Sequence, residues 1–205
     1  IDRRWCGVAY RICWAHDGSH ASTTMRLLKL IWFVTAGACL ALIPHPRLRA
    51  RCLKALGADV GPRVRVHPCK FMNHELGFSN LKIGGGSYIG ADCLLDLAGP
   101  LEIGAGATVS ARCSLITHVD PGQSHGNPLA QVYRPSRSGC RIGPNTWLGV
   151  GVIVLERGDV GAGSVVGAGS VVTGALPAGH LCVGQPAKPR SIIRPPGQLA
   201  GSQER

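Results

Sequence analysis

Between Ile142 and Leu176 an aliphatic residue recurs every sixth position and glycine usually follows it, as in Ile142-Gly143, Leu148-Gly149, Val160-Gly161 and Val166-Gly167. A period of six is far too short for helical-hairpin or propeller repeats. It fits a parallel β-helix, in which each hexad supplies one short strand and one corner. The chain is therefore read as mainly β, with its architecture constrained before any reactive side chain is considered.

Three hexads would close one turn of a triangular coil. The aliphatic residue points inward and stacks on its equivalents above and below, and the fourth position after it must be small, as at Thr146, Ser164 and Ser170. Cys93 and Cys113 hold that fourth position after Ile89 and Val109 and are read as interior fillers. Glycine after the aliphatic residue relieves crowding at a corner. Gly158 departs from the pattern and leaves its interior position empty.

The 205 residues suffice for one domain with short appendages. The nine cysteines form no CxxC pair and have an odd total, which argues against a disulfide framework and for a reducing cytoplasm. A formal charge of +11 points to anionic partners such as phosphorylated cofactors or an acidic membrane surface. With 5% aromatic residues and none interleaved with the cations, a nucleic-acid platform is not expected.

Residues 1–24 show no apolar period and are read as an extension of uncertain status, with Met25 an alternative start. His16 and His20 have metal-compatible spacing, but no further ligands stand nearby. Residues 25–58 form an N-terminal helical segment. Its apolar stretch, 27–43, is interrupted by Lys29 and stops at Pro44-His45-Pro46, and the uninterrupted run from Leu30 to Ile43 is short against the roughly 20 residues a spanning helix needs. A second helix from Leu48 to Leu56 carries Arg47, Arg49, Arg51 and Lys54 on its polar side and stops at Gly57. This pair either caps the open end of the coil or makes a peripheral membrane contact through 27–43. Residues 59–187 form the coil, interrupted by an excursion loop at 119–141 rich in Pro, Gly and Ser. Residues 188–205 are read as a basic C-terminal tail.

Three stretches carry a resemblance to a family. They are Leu95-Asp96 with Leu101-Glu102-Ile103-Gly104; Leu115-Ile116-Thr117-His118-Val119-Asp120; and Ile142 to Gly149, continuing through Gly167–Thr173 to Gly184-Gln185-Pro186-Ala187-Lys188. Together they resemble the hexapeptide-repeat acyltransferases, and within them the maltose, galactoside and nodulation-factor O-acetyltransferases and those of exopolysaccharide gene clusters. The resemblance implies a left-handed parallel β-helix, a homotrimer, acetyl-CoA as co-substrate, no metal, and a saccharide or saccharide precursor as acceptor.

The same resemblance maps the catalytic histidine onto His118. That choice is also sound chemically, because acyl transfer to a hydroxyl needs a base that titrates near neutrality. Asp96 matches an acidic position that either binds a sugar hydroxyl or orients the base. Asp120 and His125 are candidates for acceptor binding from the loop. For CoA the resemblance points to Gly149, Val150, Ala168 and Thr173 along the later coils, with Lys188, Arg190 and Arg194 suited to the nucleotide phosphates. Val150 stands where a small polar residue is usual. Antibiotic or amino-acid acetylation on the same coil, or a catalytically silent membrane-associated scaffold, are the alternatives. A zinc enzyme of the γ carbonic anhydrase type fails for want of a third histidine.

Overall fold

The computed structural model describes residues 23–74, 77–122 and 126–193. The extension up to residue 22, with His16 and His20, lies outside these residues, as do His125 and Arg194.

Hexads become short strands because only one large side chain in each is drawn inward before the chain must turn. The strands stack into three sheets that the chain visits in rotation. The first contains Asp59–Val60, Leu81–Ile83, Leu101–Ile103, Cys140–Ile142, Asp159–Val160 and Ala175–Leu176. The second contains Arg65–Val66, Tyr88–Ile89, Thr108–Val109, Trp147–Leu148, Val165–Val166, His180–Gly184 and Ala187–Ile192. The third contains Lys70–Met72, Leu94–Asp96, Ser114–Leu115, Ile153–Val154 and Val171–Val172. Ile142 lies beside Val160, Leu148 beside Val166 and Val154 beside Val172, so one turn takes three hexads, as the period implies.

The core is a single column of stacked side chains. Ile83, Ile103, Ile142 and Val160 follow one another on the first face, with Ile89, Val109, Leu148 and Val166 on the second and Leu95, Leu115, Val154 and Val172 on the third, all buried. Between them sit the small fourth-position residues Ser87, Cys93, Ala107, Cys113, Thr146, Ser164 and Ser170, also buried. Their polar groups are spent on the walls: Ser87 Oγ donates to the Gly84 and Gly104 carbonyls, and the Cys93 thiol donates to the Ser110 carbonyl. A hydrogen bond to Cys113 and burial both push the Cys93 thiol up, so it behaves as a filler rather than a nucleophile. The interior position of Gly158 is not empty. An added Cβ there would stand 2.5 Å from Val154 Cγ1, so the valine occupies the space.

The corner glycines set how closely the turns approach. A Cβ on Gly84 would stand 2.3 Å from the Ala105 nitrogen, and one on Gly161 would stand 2.3 Å from the Ala178 nitrogen. The crowding is thus against the backbone of the next turn.

Helix α1, Thr23–Leu42, and helix α2, Pro46–Ala55, precede the coil. Proline opens α2, where its missing N–H costs nothing. Arg49, expected on the polar face of α2, is instead buried and closes the coil's first turn. Its Nε donates to the Leu40 carbonyl at 2.9 Å, its Nη1 to the Val66 carbonyl at 2.7 Å, and its Nη2 to the Ile43 carbonyl. A guanidinium can bridge three carbonyls from a helix end and a strand because its donors form a rigid fork.

Two boundaries also shift. The excursion ends at Gly139, since residues 140 and 141 already belong to the strand Cys140–Ile142. Residues 188–192 are not a tail: Ala187–Ile192 runs antiparallel to His180–Gly184 and extends the second sheet.

Candidate active site

The strand Leu94–Asp96 and the strand one turn on, Ser114–Leu115, pair in parallel, so the residues that follow them lie one above the other. This places Asp96 beneath the segment Ile116-Thr117-His118, where the chain departs for the loop. Asp96 is wholly buried and His118 half-buried. Asp96 Oδ2 accepts from His118 Nδ1 at 2.5 Å and from the Thr117 N–H and hydroxyl, each at 2.8 Å. Oδ1 accepts from Asn73 Nδ2 at 2.6 Å and from the Ala98 N–H at 3.1 Å.

Burial alone would push the Asp96 carboxyl up, but hydrogen bonds from His118, Asn73 and Thr117 outweigh it and hold the group below its ordinary value. An ionised Asp96 accepts the Nδ1–H of His118 and so fixes the tautomer, leaving the Nε2 lone pair free to take a proton. Of the two roles read from the sequence for Asp96, orienting the base suits a group with no exposed surface. Sugar binding does not.

Asn73 and Thr117 escaped the sequence reading. Asn73 adopts a left-handed backbone with φ of 55°, which turns its amide toward Asp96 from the preceding turn. Thr117 had a local signal, since it directly precedes the histidine. Its hydroxyl also accepts from the Gly99 N–H at 2.9 Å and is buried.

The loop leaves and returns through a stem. Val119 and Ser136 exchange two backbone hydrogen bonds, at 2.9 and 3.0 Å, in an antiparallel bridge. Glu156, one turn further along, accepts from Ser136 Oγ at 2.5 Å and the Ser138 N–H at 2.8 Å. Its carboxyl is raised by burial but lowered more strongly by these bonds and by Arg157. Among its described residues the loop holds one short helix, α3, Leu129–Val132, whose Leu129 and Val132 are exposed together with the following Tyr133. Asp120 is exposed and accepts from the Gly122 N–H at 2.8 Å, an Asx turn that shapes the loop's start.

The residues read as CoA contacts fall on two edges that flank the third sheet. Gly149 and Ala168 stack on one, where a Cβ on Gly149 would stand 2.6 Å from the Ala168 nitrogen and the Gly169 N–H donates to the Val150 carbonyl. Thr173 follows Val172 on the other edge, the one that carries Ile116 to His118. Val150, Ala168 and Thr173 are exposed. Lys188 pairs with Val183, the residue after Cys182, which stacks on Val166, so it stands at the far end of the first edge; Arg190 lies on the outer face of the second sheet. Among the described residues, no group of His, Cys, Asp or Glu could hold a metal ion.

No protein-family model matches the chain. The chain is 30% identical over 159 residues to the protein named "Putative colanic acid biosynthesis acetyltransferase WcaF" of Escherichia coli (strain K12), an alignment that covers 77% of this chain and 82% of that one. The chain belongs to the hexapeptide-repeat acetyltransferases. It is thus an acyltransferase, and the fold agrees with solved structures of the same kind. A hexapeptide-repeat-containing acetyltransferase of Vibrio cholerae, solved in complex with acetyl coenzyme A, superposes with a TM-score of 0.66 at 22% identity, covering 86% of this chain and 93% of that one. A maltose O-acetyltransferase of Clostridium difficile 630 superposes with a TM-score of 0.69 at 23% identity, covering 83% and 89%. In this hexapeptide-repeat acetyltransferase, His118 and Asp96 sit where the regular coil gives way to the loop.

Proposed function

We propose that the protein transfers an acetyl group from acetyl-CoA to a hydroxyl of a saccharide or saccharide precursor, with His118 as general base and Asp96 as its positioning partner. The observation that carries this reading is the 2.5 Å contact between His118 Nδ1 and a buried, ionised carboxylate. The Vibrio cholerae complex supports acetyl-CoA as donor, and the names of the E. coli and C. difficile proteins support a saccharide acceptor.

His118 Nε2 takes the acceptor's hydroxyl proton as the oxygen attacks the thioester carbonyl. The resulting imidazolium is stabilised by Asp96, so charge develops next to a group that already bears its complement. Collapse of the tetrahedral oxyanion expels the CoA sulfur, which recovers the proton from His118. The pantetheine arm follows the edge of Gly149, Val150 and Ala168, with Thr173 on the neighbouring edge and Lys188 and Arg190 toward the nucleotide phosphates. Asp120 approaches the acceptor from the loop, and His125 is assigned to acceptor binding by its place in the sequence. The enzyme acts as a homotrimer in the cytoplasm, at the inner face of the membrane.

The test is thioester consumption measured with acetyl-CoA against a panel of sugars, amino acids and antibiotics, beside His118→Ala. Turnover with a saccharide that drops by about 10²–10⁴ in the variant supports the mechanism. Unchanged turnover in His118→Ala removes the base, and turnover only with an amine or antibiotic removes the acceptor class.

A further inference from the structure

Helix α1 is attached to the body through one face of its C-terminal half. Leu40 is buried, and Gly37 lies so close to the coil that a Cβ would stand 2.8 Å from His74 Nε2. The opposite face is bare. Leu28, Ile31, Trp32, Thr35, Cys39 and Leu42 fall on one stripe at helical spacing, with Trp32 62% and Leu42 82% exposed. The one hydroxyl in the stripe is turned back: Thr35 Oγ1 donates to the Ile31 and Trp32 carbonyls, at 2.8 and 2.9 Å, and presents its methyl instead.

Charge says what covers this stripe. From Thr23 to Leu56 the chain contains no Asp or Glu but carries Arg26, Lys29, Arg47, Arg49, Arg51 and Lys54. Arg49 is consumed inside the coil's end, whereas Arg47, Arg51 and Lys54 are exposed, and none of these three is ion-paired among the described residues. A second copy meeting this surface symmetrically would bring cation against cation. An anionic lipid surface meets both the apolar stripe and the cations, with the indole of Trp32 suited to the headgroup boundary. Among the described residues, no helix is long and apolar enough to cross a membrane, so α1 would lie in the interface plane.

We propose that the exposed stripe of α1, together with Arg47, Arg51 and Lys54 of α2, docks on the surface of an anionic phospholipid bilayer. This deepens the membrane placement in the proposed function and is independent of the acceptor. The contact of Gly37 with His74 joins the docked helix to the residue next to Asn73, which donates to Asp96. The reacting groups would therefore stand near the bilayer, within reach of a saccharide carried on a lipid.

The experiment is flotation of the full chain with vesicles of phosphatidylcholine alone or mixed with phosphatidylglycerol, at low and high salt, without acetyl-CoA or acceptor. Binding to mixed vesicles that weakens in salt is expected. Arg47→Glu/Arg51→Glu/Lys54→Glu is expected to weaken it by at least on the order of a hundredfold, since each cation near an anionic surface contributes roughly fivefold and each glutamate adds repulsion to that loss. Ile31→Ser/Trp32→Ser is expected to abolish it. Circular dichroism and melting temperature check that both variants are folded, since all the changed side chains are exposed. No binding to mixed vesicles, or binding indifferent to charge reversal, overturns the proposal. So does light scattering in which Ile31→Ser/Trp32→Ser dissociates the native assembly, which would make a second copy the occupant. Because the readout is vesicle binding, its failure is separate from failure of the acetyl-transfer reading.

Discussion

Replacing Asp96 by Asn keeps the side chain's shape and removes its charge. The carboxylate accepts five hydrogen bonds, three at Oδ2 and two at Oδ1. An amide must turn its NH2 toward donors in either orientation. On the Oδ2 side it would face the Thr117 and His118 N–H groups together. On the Oδ1 side Asn73 can rotate its own amide to accept, and only the Ala98 N–H is left unpaired, so this orientation wins. One buried unpaired donor costs about 1–3 kcal/mol, and the bond to His118 falls to roughly half its strength once it is no longer charge-assisted. Asp96→Asn is expected to lower unfolding free energy by about 2–4 kcal/mol. It is also expected to lower kcat by roughly 10–10³, because the imidazolium loses its counter-charge. KM for acetyl-CoA should hold, since Asp96 has no exposed surface from which to touch it. Thioester absorbance gives the kinetics and urea denaturation the stability. A variant that loses stability yet keeps kcat within about twofold of the parent, a change of under roughly 0.5 kcal/mol in the barrier, would show that Asp96 holds the fold and not the base.

Other consequences can be checked alongside. Gly84→Ala is expected to cost about 1–3 kcal/mol or more in urea denaturation, its Cβ being 2.3 Å from the Ala105 nitrogen, whereas Gly174→Ala, with nothing within 4 Å, should change stability by under about 0.5 kcal/mol. Arg49→Met withdraws the donor from three carbonyls and is expected to cost about 2–4 kcal/mol, with faster proteolysis between α1 and the coil. Asp96 and Glu156 both titrate below their ordinary values in the folded chain. Their stabilisation is therefore complete above the unfolded carboxylate range and is lost as pH falls below about 4 through the folded values. Denaturation midpoints between neutral and acid pH should show that fall, and Asp96→Asn/Glu156→Gln should flatten it.

The coil was legible in the sequence because its core is one-dimensional. Each inward residue meets its own equivalents, so periodicity along the chain is also contact in space, and Cys93 and Cys113 could be assigned to the interior before any coordinates. The same locality explains what was missed. Arg49 looks like any cation on a polar helix face, and only the meeting of two helix-end carbonyls with that of Val66 draws it inward. Residues 188–192 read as a tail because they carry the cations Lys188 and Arg190 and no hexad period, and their strand character comes from the partner His180–Gly184 alone. His118 stands out in the sequence by its motif, but Asn73 reaches Asp96 from another turn through a left-handed backbone, for which the sequence has no period.

The excursion loop is spliced into the coil without a scar. Ile103 meets Ile142, Val109 meets Leu148 and Leu115 meets Val154 as they would had the chain never left, while Val119 and Ser136 close the loop at its neck. The coil's residues thus keep their neighbours whatever the loop contains. Lengthening, trimming or exchanging the segment between Val119 and Ser136 alters what is presented to His118 while the scaffold beneath stays in register, so one rigid spool can carry many different flaps.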